Sequence, residues 1–199
     1  MTDETTQPER KFDSILLSDV AEAQERVHEN DTPTNRRDFI RSMFACIEGV
    51  YWQLKEDLLT DVMLQLTDKE RRKLSDARTV VGPSGETAQR DNHIPVADTM
   101  RLLLKILGRH LPDSTLKTDG PGWEAFKKCI VLRNRLVHPK SAADLEVSDD
   151  ELELAERTYR WALATSLIVS YGQFKNTNRV HKAVVETTTG KPRPKQPWE

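Results

Sequence analysis

The stretch TNRRDFIRSMFACIEGVYWQLKEDLLTDVMLQL, residues 34–66, decides the fold. Its apolar residues recur every three or four positions, which is the spacing of one buried face of an α-helix. The residues on that face are Ile40, Met43, Phe44, Ile47, Tyr51, Leu54, Leu58, Val62 and Leu66. The pattern predicts a long helix over 34–66, with Thr32 or Thr34 as its N-cap. A face of this length needs other helices to cover it.

The rest of the chain supplies further helical patterns and few signs of strands. Apolar residues at helical spacing predict helices over about 13–29, 95–111, 123–137 and 149–175. The last helix follows a capping box from Ser148 to Glu151. Residues 67–76 predict a short charged turn or helix, and turn residues predict loops over 80–95 and 112–122. The sequence therefore predicts an all-α bundle of four or five main helices.

Charge divides the chain into three parts. Residues 1–32 contain nine acidic and three basic residues, and form an acidic segment with one amphipathic helix. Residues 33–175 form the main helical domain. Residues 176–199 contain prolines alternating with Lys and Arg, which predicts a flexible, basic tail.

Composition excludes several classes of protein. The 199-residue chain has a net charge of −2, which argues against nonspecific coating of nucleic acid. No apolar run approaches the ~18–20 residues of a membrane span, and the N-terminus has no signal-peptide pattern. The two cysteines, Cys46 and Cys129, lie far apart in apolar helical stretches. We therefore expect buried thiols in a cytoplasmic protein that does not act at a membrane.

One segment, Arg133-Asn-Arg-Leu-Val-His138-Pro139, indicates a site. On a helical wheel with about 100° per residue, Arg133 lies in the middle of the apolar face. An unpaired guanidinium there is costly, so we expect it to meet an anion, a phosphate or water. Asn134, Lys127 and His138 follow one edge of the same face, and Pro139 ends the helix.

A partner for Arg133 is also visible. Glu48 lies in the apolar arc of the long helix, where a carboxylate is unusual unless it is paired. We therefore expect Glu48 to hold Arg133 across the interface between the two helices and to fix the direction of its guanidinium.

The pattern of Arg133, Asn134 and His138 at the end of a helix in an all-α chain resembles the HEPN superfamily. That superfamily is built on an Arg-x(4–6)-His motif in a four-to-five-helix bundle that dimerises with its motifs facing each other. Here the resemblance covers residues 34–175, with an extra N-terminal helix. Lys140 stands where one toxin subgroup has a modified tyrosine, two residues after the histidine, so that subgroup's regulation is not expected.

The resemblance implies a metal-independent RNA endonuclease in a toxin or phage-defence role, with RNA as substrate and a homodimer as the active form. An antitoxin or a defence complex would be its partner. Arg133, Asn134 and His138 would be the catalytic residues, and Lys127 and Lys140 would bind substrate. The residue types suit this chemistry, because histidine serves as a base at neutral pH and arginine matches phosphate oxygens. No cofactor or metal is expected, since the remaining histidines lack ligand spacing.

Other interpretations remain open. The chain could be a non-catalytic HEPN-like subunit that dimerises or binds RNA within a larger complex, or an inhibitor whose acidic N-terminal helix covers a basic partner. His138 could simply cap its helix. The aromatic residues Trp52, Tyr159, Trp161 and Tyr171 predict bundle core, and the acidic block 144–156 predicts a surface that repels RNA.

Overall fold

The computed structural model describes residues 12–61, 66–75, 77–81, 83–91, 94–110 and 118–189. Its elements are α1 (Phe12–Glu29), α2 (Pro33–Thr60), α3 (Asp68–Leu74), β1 (Ala77–Val81), β2 (Thr87–Asp91), α4 (Val96–His110), α5 (Pro121–Val137), a 3₁₀ turn (Ala142–Leu145) and α6 (Asp149–Thr189). The prediction of an all-α chain is confirmed, with one small hairpin added. None of the described helices is long and apolar enough to cross a membrane.

The chain divides into two compact units. The first contains residues 1–52 and 119–163, and therefore holds α1, most of α2, α5, the 3₁₀ turn and the start of α6. The second contains residues 53–118 and 164–199, and holds the end of α2, α3, the hairpin, α4 and the rest of α6.

The core of the first unit is aromatic and aliphatic. The ring of Phe44 on α2 stacks against the ring of Phe126 on α5, with 6.3 Å between the ring centroids. The hydroxyl of Tyr51 donates to the carbonyl of Ala162 on α6 at 3.3 Å, in a buried position. Helix α1 lies against Gly49, where an added Cβ would overlap the side chain of Leu16. In the first unit, α5 and α6 therefore contact the apolar face predicted for α2, and α1 packs against the same helix at Gly49.

The start of α2 follows the prediction. The hydroxyl of Thr32 accepts a hydrogen bond from the amide of Asn35 at 3.2 Å, so Thr32, of the two candidates, caps the helix.

The end of α2 comes earlier than predicted, because the helix stops at Thr60 and neither Asp61 nor Leu66 is helical. The hydroxyl of Thr60 donates to the carbonyls of Glu56 and Asp57, and the amide of Asp61 also donates to the carbonyl of Asp57 at 3.0 Å. Residues 62–65 lie outside the described part.

The loop predicted over 80–95 is wrong where the hairpin forms. Strands β1 and β2 pair antiparallel, from Ala77 opposite Asp91 to Val81 opposite Thr87. Each strand has five residues, which is too short for a clear alternation of apolar and polar positions. Gly85, with φ of 86°, occupies the left-handed conformation that lets the chain turn between them.

Helix α6 is longer than predicted. It continues to Thr189, beyond Lys175, where the sequence predicts its end, and so includes the first residues of the segment predicted as a tail. No glycine or proline lies between Gln173 and Thr189, so nothing in this stretch forces a helix to end. Residues 190–199, which contain the prolines of the predicted tail, lie outside the described part.

Helix α3 in the second unit is held at its first turn. Thr67 and Glu70 form a reciprocal capping box, and Arg109 of α4 donates to Glu70 at 3.0 Å. The hydrogen bond from Arg109 is the main cause that lowers the pKa of Glu70 to about 2, and the bonds from Thr67 add to it. The ionised carboxylate therefore stabilises this unit.

Replacing Glu70 by glutamine should lower the free energy of unfolding by about 1 kcal/mol at pH 7, since it weakens a capping box. The folded pKa lies below the ~4.3 of an unfolded glutamate, so the contribution is present above that pH and is lost as the pH falls toward 2. We expect the difference between wild type and E70Q to shrink by about half at pH 3. Urea denaturation at both pH values measures it, with E153Q, an exposed position of α6, as control. A difference that grows on acidification would contradict this.

Candidate functional site

Helix α5 carries the motif, and its apolar face anchors it in the first unit. Pro121 starts the helix at a position that needs no amide donor. Six of its residues are buried: Trp123, Ala125, Phe126, Cys129, Leu132 and Leu136. The helix ends at Val137, and His138 is the C-cap residue before Pro139, as the proline predicts. The motif therefore lies on the last turn of a helix that is held in place by packing.

Arg133 is paired with Glu48, as predicted. Its guanidinium nitrogen Nη2 lies 2.9 Å from Oε1 of Glu48 on α2. The side chains remain 30% and 41% exposed, respectively, so the pair is open to solvent. An arginine on the apolar side of α5 is thus satisfied by a carboxylate and still accessible to a ligand in water.

Asn134 acts on the same guanidinium. Its side-chain oxygen accepts a hydrogen bond from Nη1 of Arg133 at 3.2 Å. Glu48 and Asn134 together occupy two of the five N–H donors of Arg133, which leaves the others for a ligand. The structure therefore places the amide of Asn134 with the guanidinium of Arg133.

His138 lies exposed at the end of α5. Its backbone amide donates to the carbonyl of Asn134 at 3.0 Å, which closes the last helical turn. The imidazole forms no hydrogen bond with another described residue, so its ring does not cap the last carbonyls of the helix. His138 lies five positions after Arg133, which is about 7.5 Å along the helix axis. Both side chains are available from solvent near one end of α5.

The two lysines proposed to bind substrate differ in their surroundings. The amine of Lys127 lies 2.8 Å from Glu124, one turn earlier on α5, and both side chains are exposed. Lys140 is exposed, and its amine forms no ion pair with a described residue. Its backbone amide donates to Asp144 at 2.7 Å, and this bond is the main cause that lowers the pKa of Asp144. Lys140 therefore follows His138 in a segment with a defined backbone.

Four arginines donate hydrogen bonds to the backbone of residues 136–147, the segment that begins at the end of α5. No sequence pattern indicates this role. Arg41 of α2 donates to the carbonyl of Leu136 at 3.3 Å, and Arg37 donates to the carbonyl of Leu145 at 3.1 Å. Arg36 donates to the carbonyl of Val147 at 2.9 Å, and Arg135 does the same to Glu146. Their partners are backbone carbonyls, which any residue provides, so the sequence carries no signal from which to predict these contacts.

The same arginines change the expected effect of the acidic block 144–156. Arg36 pairs with Asp149 at 2.6 Å, and Arg135 pairs with both oxygens of Glu151 at 2.9 Å. Arg160 lies 3.7 Å from Glu156. Part of the negative charge is thus neutralised locally, which weakens the repulsion of an approaching phosphate backbone.

The cysteines do not contribute nucleophiles. Both are buried, as predicted, and burial raises the pKa of Cys129 to about 12. Burial likewise raises the pKa of Cys46, whose thiol contacts Tyr159. Since the thiolate is the reactive form, both thiols are unreactive at neutral pH. Within the described residues, no group of three or more His, Cys, Asp or Glu side chains is placed to hold a metal ion.

The chain matches no known family, no curated protein and no solved structure. Any inference about function therefore rests on the geometry of its own residues. In that geometry Glu48, Arg133 and Asn134 are joined directly, His138 ends the same helix, and Lys127 and Lys140 lie on either side along the chain.

Proposed function

We propose that this protein is a metal-independent RNA endonuclease of the HEPN type. One observation carries the proposal: a solvent-accessible guanidinium, held by Glu48 and Asn134, lies on the last turn of the helix that ends in exposed His138. Arginine is suited to phosphate and histidine to proton transfer near neutral pH. A cationic group and a base on the same end of one helix are two of the three groups that RNA cleavage needs, the third being an acid for the leaving oxygen.

The reaction uses the nucleophile that RNA already carries. The imidazole of His138 removes the proton from a ribose 2′-hydroxyl, whose oxygen attacks the adjacent phosphorus. The free N–H donors of Arg133 stabilise the charge that develops on the phosphate oxygens, while Glu48 keeps the guanidinium in one direction. The bond to the 5′-oxygen of the next nucleotide breaks, which leaves a 2′,3′-cyclic phosphate and a 5′-hydroxyl.

The leaving oxygen needs a proton, and one chain offers one motif histidine. A twofold dimer with facing motifs would supply His138 of the second copy as the acid. A nuclease of this kind harms its own cell unless it is controlled, which fits a toxin or defence role with an antitoxin or complex partner in the cytoplasm.

The substrate test uses a mixed pool of cellular RNA with the protein in excess chelator. We expect cleavage of RNA and none of DNA, with cyclic phosphate ends identified by mass spectrometry. Once a cut site is mapped, an oligonucleotide with one 2′-deoxy nucleotide at that site should resist cleavage at least about 1,000-fold, because its nucleophile is gone. Cleavage that persists in the deoxy substrate would contradict the mechanism.

A non-catalytic role is the second candidate, and it has its own support. Glu48 neutralises the charge of Arg133, and no described residue hydrogen bonds to the imidazole of His138 to orient it. Such a chain would bind RNA or dimerise as a subunit of a larger complex. Binding of RNA without cleavage, under every buffer that keeps the protein folded, favours this candidate.

A further inference from the structure

A cavity of about 450 Å³ opens between the first turns of α5 and the start of α6, both within the first unit. Its volume is within the ~300–1,000 Å³ typical of small-molecule sites. Part of its wall is apolar and consists of Pro121, Gly122, Ala125 and the indole of Trp161. The sequence pattern indicates no cavity here, since it predicts Trp161 as part of the core.

The indole of Trp161 is held in place by the aromatic residues of α5. Its ring centroid lies 6.2 Å from that of Trp123 and 5.8 Å from that of Phe126. Gly122 allows this position, because an added Cβ would overlap the indole ring. The cavity therefore has a rigid aromatic wall, against which a planar ring can stack.

Charged side chains line the same cavity. Lys128 of α5 and Arg157 of α6 are both exposed, and neither forms an ion pair with another described residue. Glu124 also lines the cavity, and its carboxylate is paired with Lys127 at 2.8 Å. Two cations that no described carboxylate neutralises, next to an aromatic wall, complement a ligand that has a planar ring and an anionic group.

The cavity is distinct from the site around Arg133. On the helical wheel of α5, Lys128 and Glu124 lie about 180–220° from Arg133, so they are on the opposite side of the helix. A ligand bound at Lys128 therefore does not contact the guanidinium that Glu48 holds.

We propose that this cavity binds a nucleoside phosphate. The base stacks on Trp161, the phosphate lies between Lys128 and Arg157, and Glu124 accepts a hydrogen bond from a ribose hydroxyl or an exocyclic amine. The same chemistry is offered by a free nucleotide and by the 5′-phosphorylated end of an RNA chain. Occupancy at this position would join α5 to α6 in the unit that carries the motif.

Titration calorimetry with the full chain tests the proposal, with AMP and GMP as probes. We expect at least one of them to bind with Kd below about 1 mM, and adenosine and inorganic phosphate to bind at least about tenfold more weakly. Lys128→Gln and Arg157→Gln should each weaken binding about tenfold. Arg160→Gln, which removes the same charge outside the cavity, should bind like wild type. Trp161→Phe should preserve binding better than Trp161→Leu, provided that circular dichroism shows both to be folded.

Three results would overturn the proposal. These are the absence of binding by both nucleotides, equal affinity for inorganic phosphate and AMP, and unchanged affinity in both Lys128→Gln and Arg157→Gln. A 5′-phosphorylated oligonucleotide that binds more tightly than AMP identifies an RNA end as the natural ligand, and the reverse order identifies a free nucleotide. Unchanged binding in Arg133→Ala keeps this result separate from the proposed nuclease activity.

Discussion

We expect His138→Ala to lower the rate of RNA cleavage by about 1,000-fold, and Arg133→Ala to lower it by about 100-fold or more. The first value is the usual contribution of a positioned acid or base, and the second is that of one group that stabilises developing phosphate charge. Both side chains are accessible at the end of α5, so their removal leaves the apolar face of the helix intact. Single-turnover cleavage of a mapped RNA site measures both effects.

Matched variants separate loss of chemistry from loss of fold. His28→Ala removes an exposed histidine at the end of α1, and Arg160→Ala removes an exposed arginine of α6. Both should cleave like wild type. Glu48 is already 41% exposed beside Arg133, so water can hydrate its carboxylate in Arg133→Ala, which should cost no more than about 1 kcal/mol of stability. Equal cleavage by wild type and both motif variants would remove the proposed active site.

The ion pair with Glu48 allows a finer test of the same site. Glu48→Gln retains an oxygen that accepts a hydrogen bond from Arg133 but removes the charge, so we expect about a tenfold loss of cleavage. Glu48→Ala should lose more, and the loss should disappear in the Arg133→Ala background because the two residues act together. Additive losses in the double variant would show that Glu48 does not act through Arg133.

The pairing of Glu48 with Arg133 was predictable because each residue is a charge on an otherwise apolar helical face. Two opposite charges on the apolar faces of helices that pack together are expected to form an ion pair. The bounds of α1, α4 and α5 followed from apolar spacing for a related reason, since burial of one face dictates that spacing. Features that depend on a periodic pattern, or on a break in one, can be recognised in the amino-acid sequence alone.

Other features depend on contacts that leave no such pattern. The strands of the hairpin are too short for a clear alternation of apolar and polar residues, and α6 continues past Lys175 because no residue stops it.

The assignment of Trp52 to the core is wrong, because its side chain is 47% exposed. Helix α1 contacts it through Phe12 without covering it. The side chain of Tyr171, also predicted as core, lies outside the described part. The cavity at Trp161 arises where α5 and α6 approach closely at Gly122. In the sequence, Gly122 looks like any residue at the start of a helix.

That close approach makes Gly122→Ala the substitution with the largest expected effect on stability. The added methyl group would overlap the indole of Trp161, which cannot turn away because Trp123 and Phe126 pack against it. Overpacking of this kind costs about 1–3 kcal/mol, and it exceeds the small gain in helix propensity from replacing glycine. Urea denaturation of the full chain measures the loss.

Gly108→Ala is the matched control, because Gly108 lies within α4 and, among the described residues, an added Cβ there meets no atom within 4 Å outside the backbone of its own helix. At that position alanine should raise the stability by about 0.5–1 kcal/mol, through helix propensity alone. The same substitution is thus expected to change stability in opposite directions in two helices. If Gly122→Ala also stabilised the protein, the indole of Trp161 would have room to move. That result would contradict the claim that Trp161 forms a rigid wall of the cavity.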